Sequence, residues 1–387
     1  MKKLVILFTL LLSLHTFADD LQKGLTKTFN VIGSVQTVKY KPVNSPLNFD
    51  YDIQYYIPSS LKGKNNLNTL VFLHGGGQST MTREGSLNVT KMYMNDLKTV
   101  ADALGIILIM PSGSGNNWGG HMISLLRDLN QTIRAELPVN SDKIALSGHS
   151  MGGMGITRSA HWLTDEYAFF MPTAAGMDEK HQTEANLRPY MNMKYYHMQG
   201  LQDHFKVFIT RCENQQRAID ELERKYNVKT GFELEFYNGS HNYPKETYQE
   251  RLKTMFKETS RNLYQSELHG MVHNRKEIIS KPDTIDWYLA YPDRYFWLEA
   301  LEYSAVKDLV WLDGKIENNM IEIKSTTGLK KLRVYLSSKM VNLQQTVKIM
   351  VNGMTKYDAV PEISLENNSE RNKDPGFNFE SYVDLEL

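Results

Sequence analysis

The stretch VNSDKIALSGHSMGGMG, residues 139–155, joins three local signals. A polar turn leads into an apolar run at 144–146, Gly148-His149-Ser150-Met151-Gly152 fits G-x-S-x-G, and a helical run follows from Met151. Glycines beside the serine permit a sharp, strained turn whose neighbours lie too close for side chains. Such a turn lifts the Ser150 hydroxyl to the carboxyl end of a strand and the N-terminus of a helix, whose dipole favours developing negative charge. The stretch predicts a strand, a turn and a helix within a parallel sheet, with Ser150 as a candidate nucleophile.

Working outward, β-rich runs alternate with helical ones. The strands fall at 33–40, 51–57, 69–73, 106–110, 144–148, 168–174, 194–199 and 232–237. Several are nearly continuous apolar stretches, as expected of strands buried on both faces. Helical patterning covers 87–104, 121–136, 151–163, 206–226 and 245–264. This alternation predicts an α/β fold with an eight-stranded, mostly parallel sheet, its first two runs forming an antiparallel edge. From about 265 the texture changes. A polar stretch leads to period-two runs at 294–303, 319–325, 331–336, 346–351 and 378–386, with Asp313-Gly314 and Asn352-Gly353 read as turns. These predict a small antiparallel β-sandwich-like domain over 285–387, reached through a linker at 266–284.

A serine hydroxyl needs a base. On a sheet of this kind the expected chain order is serine, acid, histidine. Asp203 in GLQD follows one strand and His241 in NGSH follows the last, so both belong beside Ser150. Neutral His241 would take the serine proton and Asp203 would fix its tautomer. Asp178 is the alternative acid, His204 a candidate for the pocket wall, and His149 a packing residue of the turn. His74-Gly75-Gly76-Gly77 follows the strand at 69–73, so backbone N–H groups of Gly76 and Met151 are the expected oxyanion donors, with Gly76 favoured over Gly77. Trp118, in a loop after a strand, is a candidate substrate-binding residue. No spacing of His, Cys, Asp or Glu suggests a metal, and the chemistry requires no cofactor.

HGGG, GHSMGG, GLQD and NGSH, in this order on these strands, resemble the α/β-hydrolase superfamily. VNSDKIALSGHSMGGMG further resembles secreted serine esterases of the polyhydroxybutyrate-depolymerase and feruloyl-esterase kind. The resemblance spans roughly residues 40–265. It implies hydrolysis of carboxylic esters through an acyl-enzyme on Ser150, with a small-molecule or polymer ester as substrate. One alternative is a serine peptidase of the prolyl-oligopeptidase type, although no propeller repeat precedes the sheet. Another is a non-enzymatic carbohydrate- or surface-binding protein, with Trp287, Trp297 and Trp311 offering a sugar-stacking face.

The remaining composition bounds these readings. Lys+Arg 44 balances Asp+Glu 44, which argues against a nucleic-acid partner, because such binding needs surplus basic charge. Hydrophobic residues make up 41% and charged residues 23% of the 387, enough for a sizeable core and too little charge for wholesale disorder. Lys2 and Lys3 followed by the apolar run Leu4–Leu14 read as a signal peptide over 1–18, with the catalytic domain then at 19–265. The expected location is therefore the periplasm or the extracellular medium, with no stable membrane insertion after signal removal. Cys212 is the single cysteine, so no intrachain disulfide is available, unlike several secreted relatives. Oligomeric state is not legible from the sequence.

Overall fold

The apolar runs form one large sheet. A computed structural model describes residues 28–42, 51–77, 80–113, 118, 121–273, 276–281, 284–290, 294–303, 309–325, 328–363 and 376–387, without the side chains of 121, 271–273, 276–281, 284–290 and 309. The proposed signal peptide lies outside these residues. In chain order the elements are β1 (Gln36–Tyr40), β2 (Tyr51–Tyr56), β3 (Leu67–Leu73), α1 (Arg83–Leu104), β4 (Ile107–Pro111), α2 (His121–Glu136) and β5 (Val139–His149). There follow α3 (Met151–Ser159), β6 (Phe170–Thr173), β7 (Lys194–Gly200), α4 (Lys206–Tyr226), β8 (Gly231–Tyr237) and α5 (Lys245–Glu258). The sheet order is β1-β2-β4-β3-β5-β6-β7-β8. β2 runs antiparallel to both β1 and β4, and every later pairing is parallel.

Both faces of the sheet are covered, and the period of two decides which side chain goes where. Val71, Ile107 and Ile109 face one core, packed with Leu126 and Leu129 of α2 and Ile219 of α4. Their neighbours Leu70, Phe72, Leu108 and Met110 face the other core, with Leu97 of α1 and Leu252 of α5. Local chemistry sets the helix ends. Thr82 caps α1 by accepting the Gly85 N–H at 3.0 Å, and Gly105 ends it in the left-handed region at φ 61°. α5 stops at Glu258, short of the expected 264, because Lys143 Nζ donates to the carbonyls of Phe256 and Thr259, both at 2.6 Å.

Beyond α5 the chain forms β9 (Glu267–His273), β10 (Lys276–Lys281), β11 (Thr284–Ala290), β12 (Arg294–Tyr295), β13 (Leu298–Tyr303) and β14 (Leu309–Glu317). It ends with β15 (Met320–Ser325), β16 (Leu329–Leu336), β17 (Val347–Val351), β18 (Met354–Ala359) and β19 (Ser381–Glu386). These build a four-stranded sheet β12-β13-β16-β19, a five-stranded sheet β18-β17-β15-β14-β9 and the pair β10-β11. The first two share one buried cluster that includes Leu268, Trp297, Leu312, Ile321 and Val334.

Four sequence expectations change here. The expected all-antiparallel pattern is interrupted, because β15 and β17 pair in parallel. The stretch 266–284, expected as a linker, supplies β9 and β10, and the polar residues of ELHGMVH conceal that strand. The single run 294–303 splits into a hairpin with Tyr295 opposite Leu298, and its turn holds Phe296 at φ 51° while burying both Phe296 and Trp297. Asp313-Gly314 lies inside β14 rather than in a turn. Gly314 is there because a Cβ would stand 2.5 Å from the Trp297 ring. Asn352-Gly353 does turn the chain between β17 and β18, at φ 49° and 82°.

Polar contacts bind this region to the α/β region. Arg188 pairs with Asp313 and stacks 4.5 Å from Trp311, and Asn192 Nδ2 donates to Gln265 Oε1 at 2.7 Å. Arg294 reaches Glu166 at 3.0 Å, which also binds Arg127 at 3.0 Å and Arg134 at 2.9 Å. Burial alone would raise the Glu166 carboxyl, but the three guanidinium groups hold it far below the usual carboxylate range.

Candidate active site

Register brings the site together. Leu73 lies opposite Gly148, His149 opposite Thr173, and Gly200 opposite Tyr237, so the loops after β3, β5, β7 and β8 leave at one sheet edge. Ser150 occupies the turn after β5 with φ 54° and ψ −115°, outside the regions that L-residues favour. Its N–H donates to Thr173 O at 2.9 Å, and its own carbonyl accepts from Met154 at 2.8 Å. A Cβ on Gly152 would stand 2.0 Å from Leu73 O, so this helix start tolerates only glycine there.

The side chains expected to act together do meet. His241 Nε2 lies 2.8 Å from Ser150 Oγ, and His241 Nδ1 lies 2.8 Å from Asp203 Oδ2. Asp203 is fully buried. Burial acts to raise its carboxyl, but hydrogen bonds from His241, Gln199 and the Phe205 amide outweigh it and hold Asp203 below the usual value. The ionised carboxylate thus faces the imidazole. Phe205 and Phe208 bracket the His241 ring, with centroids at 4.9 and 5.8 Å.

The glycine loop after β3 stands beside the serine. Gly76 packs against Met151, since a Cβ there would be 2.5 Å from the Met151 methyl. The Gly77 N–H donates to Thr80 Oγ1 at 3.3 Å. These groups open into a cavity of about 530 Å³, whose wall includes Gly76, Met92, Met154, Phe205, Phe208 and His241.

No protein-family model and no curated protein matches the chain. Its structure is similar to that of FphF, fluorophosphonate-binding serine hydrolase F of Staphylococcus aureus, with 16% identity, 58% of this chain and 99% of that one covered, and a TM-score of 0.42. A ferulic acid esterase is similar at 16% identity, 58% and 97% coverage and a TM-score of 0.43. An S-formylglutathione hydrolase from Agrobacterium tumefaciens is similar at 15% identity, 60% and 98% coverage and a TM-score of 0.43. The strand order, with Ser150 after β5, Asp203 after β7 and His241 after β8, decides the architecture. The fold is of the α/β-hydrolase type.

Within this α/β-hydrolase architecture the other candidates take different places. Asp178 pairs with Arg158 at 2.6 Å and Arg211 at 2.7 Å, and is no partner of His241. His204 is exposed and lines the cavity, with Nδ1 4.0 Å from Asp203. Trp118, expected to touch substrate, is buried instead. Its indole N–H donates to His74 O at 2.9 Å and its ring packs edge-on against His74, so it supports the glycine loop from behind. His74 is itself buried and accepts the Gly113 N–H at 3.0 Å; burial pushes its pKa down to about 4. Cys212 is buried in α4, where burial pushes the thiol up, so it carries little thiolate. Trp297 is a core residue, and the side chain of Trp287 lies outside the described ones. Among the described residues, no group of three or more His, Cys, Asp or Glu could hold a metal ion, and no helix is long and apolar enough to cross a membrane.

Sequence reasoning did not find Tyr93. This α1 side chain lines the cavity, and its hydroxyl lies 2.6 Å from His149 Nδ1. No local signal marks it, because the contact joins residues 56 apart in the chain.

Proposed function

We propose that this chain is an exported serine hydrolase that cleaves carboxylic esters through an acyl-enzyme on Ser150. The observation that carries this reading is the unbroken line from Asp203 through His241 to Ser150, with both spacings at 2.8 Å, at a strained turn opening into a cavity. His241 takes the serine proton through Nε2 as Oγ attacks the ester carbonyl, while Asp203 stabilises the resulting imidazolium. Backbone N–H groups of Gly76 and Met151 receive the oxyanion, each worth about 3 kcal/mol in the transition state. The imidazolium then protonates the departing alkoxide, and water repeats the sequence on the acyl-enzyme.

The cavity favours esters whose acyl or alcohol part is apolar, because Val89, Met92, Met154, Phe205 and Phe208 give its wall an apolar side beside the polar groups at Ser150 and His241. Export is the reading of residues 1–18, and a chain with one buried thiol needs no oxidative pairing in that compartment. The four- and five-stranded sheets, which share one core, form a β-sandwich-like accessory unit. The test compares nitrophenyl esters from acetyl to long-chain, and a feruloyl ester, with aminoacyl nitroanilides. Ester turnover in the wild type and none above background in Ser150→Ala is expected. Preference for the nitroanilides would favour a peptidase, and equal ester rates in both proteins would defeat the mechanism.

A further inference from the structure

The histidine next to the nucleophile does more than pack. His149 lies between two structures that the proposed chemistry depends on. Its Nε2 is 2.7 Å from the main-chain carbonyl of His241, and its Nδ1 is 2.6 Å from the Tyr93 hydroxyl. A carbonyl only accepts, so Nε2 carries the proton, and Nδ1 must accept from Tyr93. Tyr93 thereby fixes the tautomer of His149. The glycine loop packs directly on the same hydroxyl, since a Cβ on Gly75 would stand 2.5 Å from it. A hydrogen-bonded line therefore runs from Tyr93 through His149 to the backbone of His241, and the glycine loop packs against its Tyr93 end.

We propose that Tyr93 and His149 are positioning residues, which hold the His241 main chain so that its ring spans Asp203 and Ser150, and which tie that loop to the oxyanion loop. This inference rests on the serine-hydrolase reading above. The segment it acts on needs such an anchor. Residues 238–242 form a surface loop, and its neighbouring carbonyl at Asn242 is likewise held, by the Tyr237 hydroxyl at 2.8 Å. The His241 carbonyl is the attachment nearest to the reacting imidazole. Burial, together with the adjacent His241, keeps His149 neutral, with its pKa pushed down to about 4, so the donor and acceptor roles stay assigned at neutral pH.

The test uses the full-length protein and the variants His149→Phe, His149→Gln and Tyr93→Phe. It reads kcat and KM on nitrophenyl butyrate, and the rate at which a fluorophosphonate adds to Ser150, by intact mass. Phenylalanine keeps the bulk of His149 without its N–H, whereas glutamine restores a donor. His149→Phe is expected to lower both kcat and the addition rate about a hundredfold with KM nearly unchanged, because a misplaced base costs rate rather than binding. His149→Gln should recover about tenfold of that loss, and Tyr93→Phe should lose about tenfold. If His149→Phe keeps both rates within about twofold of the wild type, the role is packing alone and the proposal fails.

Failure of the underlying reading looks different. A wild type that is phosphonylated yet turns over no ester defeats the ester reading, and the addition rates still decide the positioning claim. If the wild type is not phosphonylated at all, the serine chemistry fails. The downfield proton resonance of His241 Nδ1 then decides: its loss in His149→Phe supports the anchor and its persistence overturns it. Should His149→Phe not fold, Tyr93→Phe carries the test on the same readouts, and rates equal to wild type would overturn the proposal.

Discussion

At Ser150 a backbone of φ 54° and ψ −115° costs a non-glycine residue about 1–3 kcal/mol, which the surrounding hydrogen bonds and packing offset. That cost places Oγ within 2.8 Å of a base whose orientation is set by a buried carboxylate. Asp203→Asn should leave the fold intact and lower kcat about 10⁴-fold, because the amide can no longer hold Nδ1–H on His241; a loss under about tenfold in steady-state assays would remove Asp203 from its role. Trp118 gives a contrasting case. Trp118→Phe leaves His74 O without its indole partner and should cost about 1–3 kcal/mol of stability, measured by denaturant unfolding. The ranking of ester substrates should not change; an altered acyl-chain preference would return Trp118 to the substrate.

At the scale of elements, one contact dominates. The start of α3 crosses the end of β3 so closely that Gly152 has no room for a methyl group. Gly152→Ala should therefore cost about 3 kcal/mol and most of the activity together, whereas an alanine on an exposed helix face would be neutral or favourable. A melting temperature within a degree of wild type would refute this. The elements themselves were largely legible. All eight strands of the main sheet overlap the expected runs. Inner ones such as LVFL and IILIM are announced by apolar stretches, because a strand covered on both faces has no polar register to confuse. The edge strands β1 and β8 are partly exposed and mix polar with apolar residues. Ser150, Asp203 and His241 were legible for a related reason: each follows a strand, so chain order stands in for space. What stayed hidden depends on tertiary neighbours. Nothing local tells that Asp313-Gly314 continues a strand, since Trp297 supplies the reason, or that Tyr93 reaches His149 across 56 residues. The polar β9 was concealed because its partner β14 lies about forty residues ahead.

At the scale of the whole molecule, the α/β region and the C-terminal sheets meet through buried charge rather than through apolar surface alone. Glu166 is the centre of that contact, facing Arg127, Arg134 and Arg294. Its folded-state pKa lies below the ordinary 4.5, so its contribution is fully present above that value and is lost as pH falls further. Glu166→Gln should destabilise the protein by about 3 kcal/mol at neutral pH, since it leaves Asp165 as the remaining carboxylate beside the buried guanidinium groups of Arg127 and Arg294. The difference in melting temperature between wild type and Glu166→Gln should narrow as pH is lowered from about 5 to about 3. A gap that is constant over this range would show that the charge of Glu166 is not what joins the two regions. The chemistry proposed for this chain turns on Ser150 as an activated nucleophile, and one measurement addresses it directly. After exposure of the folded protein to a fluorophosphonate at neutral pH, intact mass and peptide mapping should find a single adduct on Ser150, absent from Ser150→Ala and greatly slowed in His241→Ala. An unchanged mass, or an adduct on any other residue, would contradict it.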